Sequence, residues 1–296
     1  MGFDVSWHPI SQKEMHRWYF DRLPELLRGD TSGMEAVLDQ YRPGREKGHE
    51  GFCRKGYREL LEQGVKVGPD ESFDKSHSFY LAVVQGLFRP YYYTRGGVFS
   101  FLTAQYPEMG AYTLPFERIT GDQFKNPMEN RITENYSGGV YIPEDQIPRL
   151  AADYMSGRIR PQLEECFGET LPVFLKALGH AGKEGLGLLE ATEVVEPNPL
   201  DLSATACCSY LINCDPEGVM LYAETAKRQL EAAIRASGGD PATAQVRREV
   251  YVEQVPSPEP PPPPEPPASP EPETPKPAPA EPPKKKGFFA RLFGGK

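Results

Sequence analysis

The chain has 296 residues, 32 prolines, five cysteines and a formal net charge of −9, a length that supports one large domain or two small ones with a substantial core. The odd cysteine count, with Cys207 and Cys208 adjacent, argues against a disulfide framework and for a reducing, cytoplasmic setting. With no run of 18 apolar residues a bilayer-spanning helix is not expected, and the acidic balance disfavours nucleic acid, whose phosphates need a cationic surface.

Taken in order, Phe3, Val5 and Trp7 alternate with Asp4, Ser6 and His8, the period of a half-buried strand that Pro9 ends. Ser11 and Glu14 have capping-box spacing and open a helix through Trp18, Tyr19 and Leu23, which Pro24 bends or restarts. Ser32 and Glu35 repeat that signal before Ala36, Val37 and Leu38, and Pro43-Gly44 close the helix. A further helix over Tyr57–Gln63 stops at Gly64. Residues Asp74–Phe88 are apolar on more than one helical face, which places them in the core. On either side of Gly96-Gly97, both Tyr91–Tyr93 and Val98–Leu102 favour strand by aromatic and β-branched content.

Between Tyr106 and Ser137, the spacing of Pro107, Pro115, Gly121 and Pro127 leaves room for short strands and loops, the natural place for a functional loop. A strand over Gly138–Pro143 precedes helical turns through Ile147, Leu150, Ala151 and Tyr154. The helical stretch Leu163–Leu178 is interrupted by Gly168 and Pro172, and Leu186–Val195 reads as a short helix and then a strand before Pro197-Asn198-Pro199. The best-marked helix has Asp215 as N-cap, Pro216 at its first position, a stripe of Ala223, Ala226, Leu230, Ala233 and Ile234, and Gly238-Gly239 as stop. Val250 and Val252 suggest a last strand. Strands and helices interleave without regular βαβ spacing, so the expected class is a mixed α+β body over residues 1–255, single or in two subdomains.

Few residues in that body point to chemistry. The glycine pairs fit no dinucleotide or phosphate-loop pattern, and no cofactor is expected. Cys207, Cys208 and Cys214 lie among apolar residues with spacing unlike a zinc site. A thiol enzyme would take Cys207 or Cys208 as nucleophile and His180, in an expected loop beside Gly179 and Gly182, as base. Asp4, His8, His16, Asp74 and His77 could be gathered into a metal set, although five histidines in 296 residues make such sets easy to assemble, and no metal is expected.

The tail differs in kind, because its parts agree. Sixteen of the residues 256–283 are proline, with five glutamates against one lysine, so this stretch carries −4. It is expected to be a disordered polyproline II spacer reaching on the order of 85 Å when extended. Residues 284–296 carry +5, and the total then leaves −10 on residues 1–255. In that terminal peptide Phe288, Phe289, Leu292 and Phe293 fall within about 140° of helical arc, behind Lys284, Lys285 and Lys286 and opposite Arg291. Such a basic amphipathic peptide suits an anionic membrane surface, peripheral at its inner face, or a hydrophobic groove on a protein partner. The expected function is therefore non-catalytic: an adaptor whose acidic body binds a macromolecule of unknown identity, or an inhibitor or immunity-type protein covering a basic target.

Overall fold

A computed structural model describes residues 3–40, 49–67, 75–123, 130–132 and 135–244. The alternating N-terminal segment forms β1 (Asp4–Ile10), and the capping box behind it closes in both directions. Ser11 Oγ accepts from the Glu14 amide at 3.2 Å, and Glu14 Oε2 accepts from the Ser11 amide at 3.1 Å. The helix so opened, α1 (Gln12–Met15), widens into a π-helical turn at His16–Phe20 and restarts as α2 (Arg22–Leu27). Pro24 lies in the first turn of α2, where its lack of an N–H costs no intrahelical bond.

Two sequence signals act differently from expectation. Ser32 does not cap α3 (Ser32–Gln40) but lies inside it, because Asp30 Oδ1 accepts from the Ser32 amide at 2.9 Å. Nor does Gly64 stop a helix. The helix α4 (His49–Val67) runs through it, and a Cβ at that position would lie 2.6 Å from the Tyr19 hydroxyl oxygen. Glycine there permits close approach of α4 to the π-helical turn. The expected core helix forms as α5 (Lys75–Phe88), with Leu81, Ala82, Val83 and Val84 all at 0 % exposure.

After β2 (Tyr91–Arg95), the stretch expected as a second strand is helical instead: Val98 caps α6 (Phe99–Gln105). The described part of 106–137 holds short helical turns rather than strands, at Pro107–Tyr112, α7 (Phe116–Thr120) and Gly121–Gln123. Then come β3 (Gly138–Ile142), α8 (Ile147–Met155) and α9 (Arg160–Phe167), with a 3-10 turn at Gly168–Thr170 leading into α10 (Leu171–Glu184). The helix expected early in 186–195 does not form. Residues Gly187–Thr192 make β4, buried along its whole length between β1 and β3. Two short strands, β5 (Val195–Glu196) and β6 (Ala206–Cys207), pair with each other, and β7 (Cys214–Asp215) leads into α11 (Pro216–Ala236). The strand expected at 250–253, the proline spacer and the terminal peptide lie outside the described residues.

The main sheet has the order β3-β4-β1-β2-β7, antiparallel except for the β2–β7 pair. Side chains alternate across it. One face carries Ile10, Tyr91, Tyr93, Leu189 and Ala191 into a core with α2, α4 and α5. The other carries Val5, Trp7, Tyr92 and Leu188 into a second core with α6, α8, α9 and α10. The result is a mixed α+β body, helices covering both faces of the sheet, with residues up to Ala244 in one unit.

The start of α11 is fixed as its sequence suggests: Asp215 accepts from the Glu217 amide at 3.1 Å, and Lys176 Nζ reaches both Asp215 and Glu217 at 2.8 Å. The helix crosses the edge of β2 beyond β7 at Gly218, whose Cβ would fall 1.7 Å from the Tyr93 carbonyl oxygen. Beyond that crossing the apolar stripe is not core: Ala223, Ala226, Leu230 and Ile234 are half-buried and Ala233 is exposed. Alanine normally improves a helix over glycine by roughly 0.5–1 kcal/mol, so two substitutions should differ in sign. Gly51→Ala in α4, with open space around it, should raise the melting temperature slightly. Gly218→Ala should lower stability by about 2–3 kcal/mol in urea denaturation, because backbone blocks the new methyl group.

Candidate functional site

Adjacent strand residues point to opposite faces, and in β2 this separates the expected nucleophile from its expected base. The Tyr91 hydroxyl lies 3.3 Å from Cys207 Sγ on one side of the sheet. On the other, the Tyr92 hydroxyl lies 2.9 Å from His180 Nδ1. His180 belongs to α10 rather than to a loop, and the sheet keeps it from the thiols. Burial pushes the Cys207 and Cys208 thiols above their ordinary range and drives Cys214 up to about 12. Desolvation does the same to Cys53, to about 11, and to Cys166, to about 12. Protonated thiols are poor nucleophiles. Iodoacetamide near neutral pH should therefore modify Cys207 and Cys214 about tenfold or more slowly in the native protein than after unfolding, as read by peptide mass spectrometry. Rapid stoichiometric labelling of Cys207 would restore the thiol-enzyme reading.

The histidines of the supposed metal set go to separate places, and Asp74 lies outside the described residues. Asp4 pairs with Arg95 at 2.6 Å, His16 bridges Asp21 and the Ile119 carbonyl, and His77 Nδ1 meets the Tyr19 hydroxyl at 3.0 Å. His8 is fully buried and stacked on Tyr91, with ring centroids 5.1 Å apart. Its surroundings determine its proton. Gln85 Nε2 donates to the carbonyls of Pro9 and Pro90, both at 3.1 Å, which leaves Oε1 as the acceptor facing His8 Nδ1 at 2.7 Å. Nδ1 therefore carries the hydrogen, and Nε2 accepts from the Ser6 hydroxyl at 2.8 Å. Serine, histidine and glutamine stand in the relation of a hydrolase triad, but Ser6 and His8 are 1 % and 0 % exposed. A sealed hydroxyl meets no substrate, so the set is a packed polar network.

Glu190 is a buried group that sequence reading missed, although a charged residue inside the apolar run Gly187–Ala191 is a readable signal. At 0 % exposure its carboxylate accepts from the Phe99 amide at 2.6 Å, the Ser100 amide at 3.2 Å and the Val140 amide at 3.1 Å. The Ser100 side chain joins them. Two of those amides begin α6; the third belongs to the irregular stretch of β3 between Gly138 and Tyr141. A Cβ on Gly139 would lie 2.0 Å from Glu190 Oε2, so glycine makes room for the carboxylate. Desolvation raises Glu190 to about 7 against the pull of these donors, whereas desolvation lowers His8 to about 4.

The two shifts oppose each other in stability. His8 titrates in the unfolded chain near 6.5 and in the folded one near 4, so its contribution falls as pH drops through that interval. Glu190 titrates near 4.5 unfolded and near 7 folded, so its contribution grows as pH falls and is lost as pH rises through 7. Glu190→Gln removes the compensating member. From pH 6.5 to 4.5, that variant should lose about 2 kcal/mol more stability than the parent, measured by chemical denaturation at each pH.

Among the described residues, hollows open on the surface at two places that bear on a site. One, of about 490 Å³, lies beneath α11 and is lined by Arg95, Phe167, Thr170, Tyr222, Thr225 and Gln229 among others. The other, of about 510 Å³, involves Gln12, Thr113, Leu114, Arg118 and Gln146. Ile212 is 71 % exposed, and Leu211 and Phe52 also stand out of the surface, with Tyr210 5.9 Å from the Phe52 ring. Among the described residues, no group of His, Cys, Asp and Glu is placed to hold a metal ion, and no helix is long and apolar enough to cross a membrane. Lys284, Lys285, Lys286, Phe288, Phe289, Arg291, Leu292 and Phe293 lie outside the described residues. Comparison with protein-family models, curated proteins and solved structures finds no match.

Proposed function

We propose that this chain is a non-catalytic binding protein, whose acidic body engages a macromolecular partner while the basic peptide 284–296 holds it at an anionic membrane surface. The observation that carries the reading is the sequence of that peptide, five cationic residues around Phe288, Phe289, Leu292 and Phe293. Each lysine or arginine near an anionic surface contributes about 1 kcal/mol, and the aromatic side chains add burial at the interface. Residues 256–283 serve as the spacer, so the body need not touch the surface that the peptide meets. The body supports a binding role in one respect: its most reaction-like polar sets are sealed or separated by the sheet.

A second reading is an inhibitor-type body covering a basic target, favoured by the charge of −10 on residues 1–255. Binding of that kind weakens with added salt. Co-sedimentation with vesicles of anionic and of neutral phospholipid tests the membrane role. The full chain should pellet with the anionic vesicles only, and a chain ending at Pro283 should remain in the supernatant. Equal behaviour of both chains removes the membrane role, and capture of a protein by the full chain alone would place the peptide in a partner groove.

A further inference from the structure

On the surface of the body, α11 spans an open hollow of about 490 Å³. The helix is fixed on both sides of it. At one end Gly218 rests on the Tyr93 carbonyl. At the other, Glu169 Oε2 accepts from Thr225 Oγ1 at 3.2 Å and from Arg228 Nη2 at 2.9 Å. Along this side the helix presents Leu221, Tyr222, Thr225 and Gln229 to the hollow.

The remaining walls are fixed as well. Phe167 stacks on Phe174 with centroids 4.2 Å apart and lies against the Gly97 backbone, where a Cβ would come within 2.5 Å of its ring. It cannot swing in to fill the space. Arg95 is held by Asp4 at 2.6 Å and lies over the Tyr222 ring, its guanidinium carbon 5.0 Å from the centroid. The volume and the prior fixing of the walls match small-molecule sites, which are mostly preformed and span about 300–1,000 Å³.

The lining also indicates the ligand. Asp4 offsets Arg95 and Arg228 offsets Glu169, so neither charge is left uncompensated to attract an ion of either sign. The groups with spare capacity are neutral. Among the described residues the Tyr222 hydroxyl and the Gln229 amide have no hydrogen-bond partner, and Leu221, with the part of the Tyr222 ring that Arg95 leaves uncovered, supplies an apolar wall. We infer that the hollow beneath α11 binds an uncharged, ring-shaped polar small molecule, the chemistry shared by nucleosides and pyranose sugars. Its ring packs on Leu221 and Tyr222, and its edge exchanges hydrogen bonds with Tyr222 and Gln229. This site is independent of the terminal peptide.

Saturation-transfer NMR on the full chain tests it, with uridine and adenosine in one arm, glucose and galactose in another, and acetate and inorganic phosphate as charged probes, each at about 5 mM, a concentration that reveals millimolar affinity. Transfer to members of one neutral arm is expected and identifies the source. Gln229→Leu and Tyr222→Phe keep the shape of the walls and remove hydrogen-bonding groups; each should weaken binding about tenfold, the loss expected for one unmade polar contact. Their melting temperatures should stay near that of the parent, which separates lost recognition from lost folding. The inference is overturned if no neutral probe shows transfer, if the charged probes bind better, or if both variants bind as the parent does.

Discussion

The fold turns on a carboxylate that water never reaches. Glu190 sits in the second core, on the strand paired with β1, and takes hydrogen bonds from the first amides of α6 and from Val140 in β3. Those three donors would otherwise be buried N–H groups without a partner, each costing about 1–3 kcal/mol. One side chain thus joins a helix start, a strand irregularity and the centre of the sheet. It also dictates residues elsewhere. Gly139 must lack a Cβ, and the segment after Gly97 must turn its amides inward, which a helix start does and a strand does not. Polar interactions of this sort are weak evidence of net stability, since desolvation offsets much of what they contribute. Their effect is to favour one arrangement, because any other would leave the charge or the amides unmatched.

The sheet acts as a partition with equal consequence. Tyr91, Tyr92 and Tyr93 are consecutive, yet they serve two cores: Tyr91 meets His8 and Cys207 on one face, Tyr92 meets His180 on the other, and the Tyr93 hydroxyl donates to Asp4 at 2.5 Å. Groups that look like neighbours in a sequence reading are thereby kept apart by the sheet. The same alternation assigns the buried base, His8, and the buried acid, Glu190, to opposite faces, so they cannot neutralise each other directly. Burial disfavours the charged form of each, and their pH responses oppose without contact between them.

Much of the architecture was legible because it is written locally. The capping box at Ser11 and Glu14, the cap at Asp215 with Pro216 behind it, and the apolar saturation of 75–88 each use residues within a turn or two of one another. The failures share the opposite property. Val98–Leu102 has strand-like residues, and the acceptor that meets the amides of its helical start, Glu190, lies ninety residues away. Gly64 has the look of a terminator, and only the Tyr19 hydroxyl packed against it shows why a glycine is needed. The first half of Leu186–Val195 carries no strand alternation, because a strand buried on both faces needs none. The candidate sites follow the same division. The terminal peptide is legible from composition and spacing alone, whereas the hollow beneath α11 is made from β2, the turn after α9 and one side of α11, which no local pattern brings together.

That hollow is a consequence of how α11 is attached. A helix that crosses a strand edge on a glycine approaches more closely than side chains allow elsewhere, and Gly218 brings α11 down onto the Tyr93 carbonyl. Farther along, Leu221, Tyr222 and Thr225 are too large to repeat that approach, and the opposite wall is fixed by the stacking of Phe167 on Phe174. Space therefore opens where the helix leaves its contact point. The apolar stripe from Ala223 to Ile234 is turned by about 100° from the side that faces the body, so it cannot close the gap by rotation without exposing Tyr222. Contact at one end and polar pairing at Glu169 at the other leave an opening whose size is set by backbone geometry rather than by mobile side chains.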